Sequence, residues 1–132
     1  MAAEFVGKAA RLHVRTGSWE DAIGDLRQEV VYRQEAGTSA GQAVMGLVLI
    51  ELKREDVVAA EKVFKELGGF MDGGQVQAAS KIFQVSLDRR YYFSHRKTSA
   101  HNMIINFHVH IKRSHLFSDL LELWCLDASR MC

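Results

Sequence analysis

The sequence of 132 residues contains no proline, only two cysteines and almost no net charge. Because proline is absent, no position is barred from a helix interior by a missing backbone N–H. Cys125 and Cys132 cannot build the multi-bridge framework of small secreted domains, which favours a reducing compartment. A formal charge of +1 gives no general attraction to nucleic acid. The composition therefore predicts a cytoplasmic protein without a nucleic-acid partner.

Long hydrophobic runs are also missing. The longest strong run, AVMGLVLI (43–50), is far shorter than the roughly 20 residues of a membrane-spanning helix. The first residues, MAAEF, contain neither the basic nor the apolar region of a signal peptide. We expect neither a membrane span nor a leader, while 48% hydrophobic residues suffice for the core of a globular domain.

Helical periodicity dominates the first two thirds of the chain. It predicts helices over 2–15, from Trp19 to Gly37, over 43–52 and over 57–67. The predicted turns are Thr16-Gly17, Gly37, Lys53-Arg54-Glu55-Asp56 and Gly68-Gly69. Capping-box patterns are expected at Ser18 with Asp21 and at Ser39 with Gln42.

Equivalent residues recur 38 positions apart. The pairs are Arg15 and Lys53, Trp19 and Val57, Ala22 and Ala60, and Arg27 and Lys65. A large residue beside the turn and a small one three positions later are typical of tetratricopeptide-like hairpins, in which the small residue lets the two helices approach closely. The repeat predicts an all-α solenoid of α-α hairpins.

A fifth helix is predicted from an N-cap at Asp72, with Gln75 at its third position, to Leu87. The composition changes near Arg90, beyond which lie five of the six histidines and both cysteines. We predict a helical-repeat region over 1–90 and a divergent tail over 91–132, whose order the pattern leaves open. In the tail, FHVHIK (107–112) alternates like a strand and LFSDLLELWCL (116–126) predicts a short amphipathic helix, both outside the solenoid.

Three stretches carry a more specific resemblance: GKAARLHVRTGSWEDAI, VLIELKREDVVAAEKVF and GGF (68–70). Residues 4–90 resemble the soluble NSF attachment protein family, and its gamma type most. Members of this family are helical solenoids that link assembled SNARE complexes to the hexameric N-ethylmaleimide-sensitive factor ATPase. The ATPase then disassembles the complexes in vesicle-mediated transport, including ER–Golgi transport. The resemblance implies a non-catalytic adaptor without cofactors, peripheral to membranes through its SNARE partners.

Two departures qualify that resemblance. It covers only the middle-to-late part of the family, and the acidic, leucine-bearing segment that engages the ATPase has no counterpart here. The resemblance therefore implies a truncated isoform or fragment that binds SNARE assemblies weakly and does not support their ATP-driven disassembly. Hairpins cut at both ends expose apolar faces, which predicts marginal stability or self-association.

Four basic residues are the candidate partner-binding residues: Arg15, Arg27, Lys53 and Lys65. Because successive repeats stack, equivalent residues form a stripe that suits the acidic surface of a SNARE bundle. The simpler interpretation, favoured by the sequence, is that Arg15 and Lys53 complement helix dipoles while the other two are solvated. The alternative function, a stand-alone peptide-binding repeat module, has less support because the first helices offer mainly Gly7, Ala10, Val44 and Leu47 to a groove.

The histidines and cysteines give little sign of chemistry. The tail histidines His95, His101, His108, His110 and His115 and the C-x6-C pair lack zinc-site spacing, so neither a metal site nor a metal-dependent enzyme is expected. His13 lies on an apolar helical face, which favours a hydrogen-bonded core histidine, and Cys125 is expected to be a small buried hydrophobe. The stretch GGFMDGG (68–74) lacks the lysine of a phosphate loop. The sequence predicts no catalytic, cofactor or metal site.

Overall fold

The computed structural model describes residues 2–95 and 119–126, with the side chains of 2–86 and 119–126. The helices are α1 (Ala2–Thr16), α2 (Trp19–Glu35), α3 (Gly41–Lys53), α4 (Val57–Leu67), α5 (Gly73–His95) and α6 (119–126), with a 3-10 turn at Gly68–Phe70. The described residues contain no strand, and α1–α2 and α3–α4 form two packed hairpins. The prediction of an all-α hairpin fold is confirmed. In the same residues no helix is both long and apolar enough to cross a bilayer.

The 38-residue repeat extends to the backbone hydrogen bonds of the two hairpin turns. At the end of α1, the Gly17 and Ser18 N–H groups donate to the carbonyls of Val14 and His13, at 3.2 and 2.9 Å. At the end of α3, Glu55 and Asp56 donate to Leu52 and Glu51, at 3.0 and 2.9 Å. In each turn the first donor has a left-handed backbone, with φ 77° at Gly17 and 64° at Glu55. Both hairpins therefore turn through the same helix-ending motif.

Helix capping follows the sequence at only part of the predicted positions. Asp72 and Gln75 form the expected reciprocal capping box, with N–H to side-chain oxygen distances of 3.0 and 2.8 Å. The boxes predicted at Ser18 and Ser39 are wrong. The Ser18 hydroxyl lies 3.3 Å from that of Thr16 and caps no backbone N–H. At the start of α3 the N-cap is Ala40 and not Ser39, and alanine has no side-chain oxygen to accept a hydrogen bond from the backbone.

Helix α3 forms the centre of the core. Most of its side chains are buried between α2, α4, α5 and α6, as expected for a helix that is apolar nearly all round. The small residues of the repeat, Ala22 and Ala60, are completely buried at the helix contacts. Val57 is also buried, whereas Trp19 is half-buried beside the first turn. The predicted packing roles of the alanines are confirmed.

Helix α5 is longer than predicted. It continues beyond Leu87 to His95 and so passes through the expected boundary near Arg90. No glycine or proline follows Gly74 before His95, so nothing in the chain ends the helix earlier. Its Phe83 ring meets Phe64 of α4 edge to face, at a centroid distance of 5.4 Å. The strand predicted at 107–112 lies outside the described residues.

Helix α6 packs against the hairpins, contrary to the prediction that residues 116–126 stand apart from the solenoid. Leu121, Trp124 and Cys125 are buried and belong to the same core cluster as α1–α5. Their spacing of three and one places them on one helical face, which is covered by α1 and α3. The prediction failed because the repeat pattern identifies hairpins but not a later helix that lies across them.

Candidate partner-binding groove

The first helices of the two hairpins, α1 and α3, form a groove that holds α6. The Trp124 indole Nε1 donates a hydrogen bond of 2.8 Å to the backbone carbonyl of Gln42. Its ring lies directly against the backbone at Gly46, where any added Cβ would overlap the ring. Gly46 thus creates the slot that the indole fills, and a buried indole N–H with a partner avoids a desolvation penalty.

Arg11 forms another wall of this slot. Its guanidinium lies 4.7 Å from the centroid of the Trp124 ring. The same group donates through Nη1 to the Gly7 carbonyl at 2.6 Å, which fixes its position along α1. A cation over an indole face stabilises the contact by about 0.5–2 kcal/mol, depending on desolvation. Trp124 is therefore held by a cation, an acceptor and a glycine from two different helices.

An open pocket of about 500 Å³ lies beside this contact, between α1, α2, α3 and α6. Its apolar lining comes from Val14, Trp19, Leu121, Cys125 and Leu126. Among the described residues, its charged lining consists of Arg15, Lys53 and Glu122, so two cations face one carboxylate there. The volume is in the range of ligand pockets, and the lining suits an apolar group that carries a carboxylate.

Cys125 lies at the inner wall of the pocket and is 3% exposed. Burial raises the pKa of its thiol, while Arg15 and Arg11 act in the opposite direction to a smaller extent. The thiol is therefore protonated at neutral pH and is no nucleophile. The prediction that Cys125 is a small buried hydrophobe is confirmed.

The four predicted basic residues fall into two groups. Arg15 and Lys53 both line the pocket, so the structure brings the two turn residues together. Arg27 and Lys65 are exposed on α2 and α4 and do not line it. Burial raises the pKa of the Glu51 carboxyl. Arg27 is close enough to Glu51 to act in the opposite direction, to a smaller extent. The predicted stripe is therefore a pair at the pocket plus two outlying charges.

His13 has a structural partner. Its Nδ1 lies 2.7 Å from the Asp25 carboxylate and so links α1 to α2. The prediction of a hydrogen-bonded histidine is confirmed, but its side chain is 37% exposed and not part of the core. Among the side chains of residues 2–86 and 119–126, no group of three or more His, Cys, Asp or Glu is arranged to hold a metal ion.

The residues that form the groove were missed by the sequence interpretation. Arg11, Gln42 and Gly46 lie on the first helices, where the expected groove surface consisted of small and aliphatic residues. One signal was present: Gly46 interrupts an otherwise aliphatic helix, and a buried helical glycine indicates the close approach of another group. The residue that approaches Gly46 is Trp124, 78 positions later in the chain, and nothing in the sequence near Gly46 identifies it.

Comparisons with known proteins do not assign this fold to a family. The chain matches no protein-family model, and no curated protein or solved structure is significantly similar to it.

Proposed function

We propose that this chain is a non-catalytic, protein-binding adaptor of the soluble NSF attachment protein type, and that its partner surface includes Arg15 and Lys53. The observation that supports this most is their equivalent position in two hairpins whose turns share one hydrogen-bond pattern, together with their convergence on one pocket. The resemblance of residues 4–90 supplies the identity of the partners, SNARE complexes and the N-ethylmaleimide-sensitive factor ATPase.

The proposed recognition is electrostatic and additive. Single exposed ion pairs contribute about 0.2–1 kcal/mol, so a bundle must engage several basic residues to gain useful affinity. Arg15 is exposed, Lys53 is half-buried, and the pocket between them has an apolar wall. An acidic side chain flanked by apolar ones matches this surface. Binding to SNAREs would place the protein in the cytoplasm, at the periphery of membranes.

Surface plasmon resonance with assembled SNARE complexes tests the proposal. The double charge reversal R15E/K53E should weaken binding by about five- to thirtyfold, because two pairs become repulsive. The matched control R27E/K65E makes the same change in net charge away from the pocket and should have a smaller effect. Raising salt from 50 to 300 mM should weaken the wild type as well. Equal losses in both variants, or no binding by the wild type, would contradict the proposal.

A second candidate is a stand-alone helical-repeat module that binds a peptide in the α1–α3 groove. The specific observation in its favour is α6 itself, an amphipathic helix held in that groove by Arg11, Gln42 and Gly46. This is the helix-in-groove mode of peptide recognition, in which one apolar face supplies the anchors. Charge reversal at Arg15 and Lys53 would leave that module's Trp anchor intact, which distinguishes the two candidates.

A further inference from the structure

We propose that the pocket between α1, α2, α3 and α6 binds a small monocarboxylate with an apolar tail, of the medium-chain fatty-acid class. The tail lies against Val14, Leu121 and Cys125, and the carboxylate pairs with Arg15. This binding goes beyond the proposed function, because it concerns the pocket alone and involves no SNARE complex.

The polarity of the pocket changes from its inner wall to its mouth. Val14, Leu121 and Cys125 line it and are only 8%, 4% and 3% exposed, so they form an apolar inner wall. The Cys125 thiol adds no charge there, because burial raises its pKa. Arg15 and Glu122 are exposed, which places their charged groups at the mouth. A ligand that is apolar at one end and charged at the other matches this arrangement.

The electrostatic balance inside the pocket favours an anion. Besides the dominant effect of burial, the charges of Arg15 and Arg11 lower the pKa of the Cys125 thiol. Glu122 raises this pKa, but its effect is smaller than that of either arginine. The potential at the inner wall is therefore positive although a carboxylate lies at the mouth, and a negatively charged ligand is preferred to a positively charged one.

Arg15 is the cation that the geometry assigns to the ligand. No hydrogen bond or ion pair joins its guanidinium to another described residue, whereas Lys53 already has an interaction partner and is not assigned to the ligand. A planar guanidinium can bind both oxygens of one carboxylate. A monoanion suits this single cation, because a second negative charge on the ligand would be repelled by Glu122.

A methyl-detected NMR titration of the full chain tests the proposal with octanoate as the probe. We expect saturable shifts of the Val14 and Leu121 methyl signals, with a dissociation constant on the order of 0.1–1 mM. Octylammonium has the same tail and the opposite charge, and should bind at least about fivefold more weakly because attraction to Arg15 becomes repulsion. The absence of saturable shifts at these methyls, or octylammonium binding as tight as that of octanoate, would refute the proposal.

Charge variants test the assignment to Arg15. Arg15→Gln should weaken octanoate binding about two- to fivefold and leave the binding of uncharged octanol unchanged, because it removes an exposed ion pair. Glu122→Gln should strengthen octanoate binding up to about twofold. The matched control Lys81→Gln removes one positive charge from the exposed face of α5, outside the pocket, and should have no effect. Equal losses in Arg15→Gln and Lys81→Gln would contradict the assignment, provided that circular dichroism shows both variants to be folded.

The apolar tail provides a test that needs no substitution. Hexanoate and octanoate differ only in length, and each CH₂ group buried against the inner wall should raise the affinity about two- to fourfold. Hexanoate should therefore bind at least about fourfold more weakly than octanoate. An affinity that does not depend on the tail would place the carboxylate at surface cations and overturn the proposal. Because no SNARE complex is present, this outcome is distinguishable from a failure of the proposed function.

Discussion

Replacement of Arg33 by methionine removes the ion-pair partner of a buried carboxylate. Glu29 of α2 is completely buried, and its Oε1 accepts a hydrogen bond of 2.8 Å from the Arg33 Nε one turn later. The other oxygen, Oε2, has no hydrogen-bond partner among the described residues. Removing one member of a buried pair typically costs about 3–5 kcal/mol, because the remaining charge lacks both water and its partner.

The surroundings of Glu29 reduce that figure. A Cβ at Gly7 would lie 2.9 Å from the Glu29 carboxylate and 2.8 Å from the Arg11 Nη1, so a second guanidinium approaches the same carboxylate. Arg33 itself is 28% exposed, and its interaction is partly screened. We therefore expect Arg33→Met to lower the free energy of unfolding by about 2–3 kcal/mol. Glu29→Met removes the buried charge together with its cost and should change stability by less than about 1 kcal/mol.

Urea unfolding followed by circular dichroism at 222 nm measures these changes. The double variant E29M/R33M should resemble Glu29→Met, since the buried carboxylate that needs Arg33 is absent from both. The matched control Lys62→Met breaks another helical pair at the same spacing, Lys62–Glu66 at 4.0 Å, which is exposed and should matter by less than about 0.5 kcal/mol. The reasoning would be refuted if Arg33→Met matched Lys62→Met, or if the losses in the double variant were simply additive.

Three further predictions can be tested in the same assay, two of them with a matched second variant. Burial raises the pKa of Glu51, so its charged form is unfavourable in the folded state. Glu51→Gln should therefore stabilise the protein at pH 7 and lose this advantage as the pH falls toward 4.5. A difference in stability that does not depend on pH would contradict this. Ala22→Leu should lower the free energy of unfolding by about 1–3 kcal/mol, because it overpacks the helix contact. Ala78→Leu, on the exposed face of α5, should have no such effect. Similar losses in the two variants would be evidence against close packing at Ala22. Asp72→Ala should cost about 1 kcal/mol through loss of the cap and Ser18→Ala less than about 0.5, an order that a capping Ser18 would reverse.

The hairpin architecture was predictable because its determinants are local and repeated. The spacing between Ala22 and Ala60 marks the close helix contacts, and Gly17 marks a left-handed turn that recurs at Glu55. A glutamate at the second turn shows that the tertiary packing of the hairpin imposes this backbone even where the residue does not favour it. At Ser39 the predicted cap fails, since α3 has Ala40 as its N-cap, and the next residue, Gly41, lies against Gln75 of α5.

The groove was not predictable in the same way. Its contacts join α6 to helices far earlier in the chain: the pairing of Trp124 with Gln42 of α3 spans 82 positions, and Arg11 of α1 lies earlier still. Hydrophobic periodicity identified α6 as an amphipathic helix but carries no information about which surface covers its apolar face. The basic residues were predictable only in part. The repeat gave Arg15 and Lys53 equivalent positions, and both line the pocket, but it did not indicate that Arg27 and Lys65 lie away from them.

The contact between Trp124 and Gly46 is the one on which the position of α6 in the groove depends. A nuclear Overhauser spectrum of the isotopically labelled full chain measures it directly. We predict cross-peaks from the Trp124 indole ring to the Gly46 Hα protons, because the ring lies against that backbone. Their absence, in a spectrum that retains cross-peaks between the buried Ala10 and Leu26 side chains and their neighbours in the first hairpin, would show that α6 does not lie in the groove.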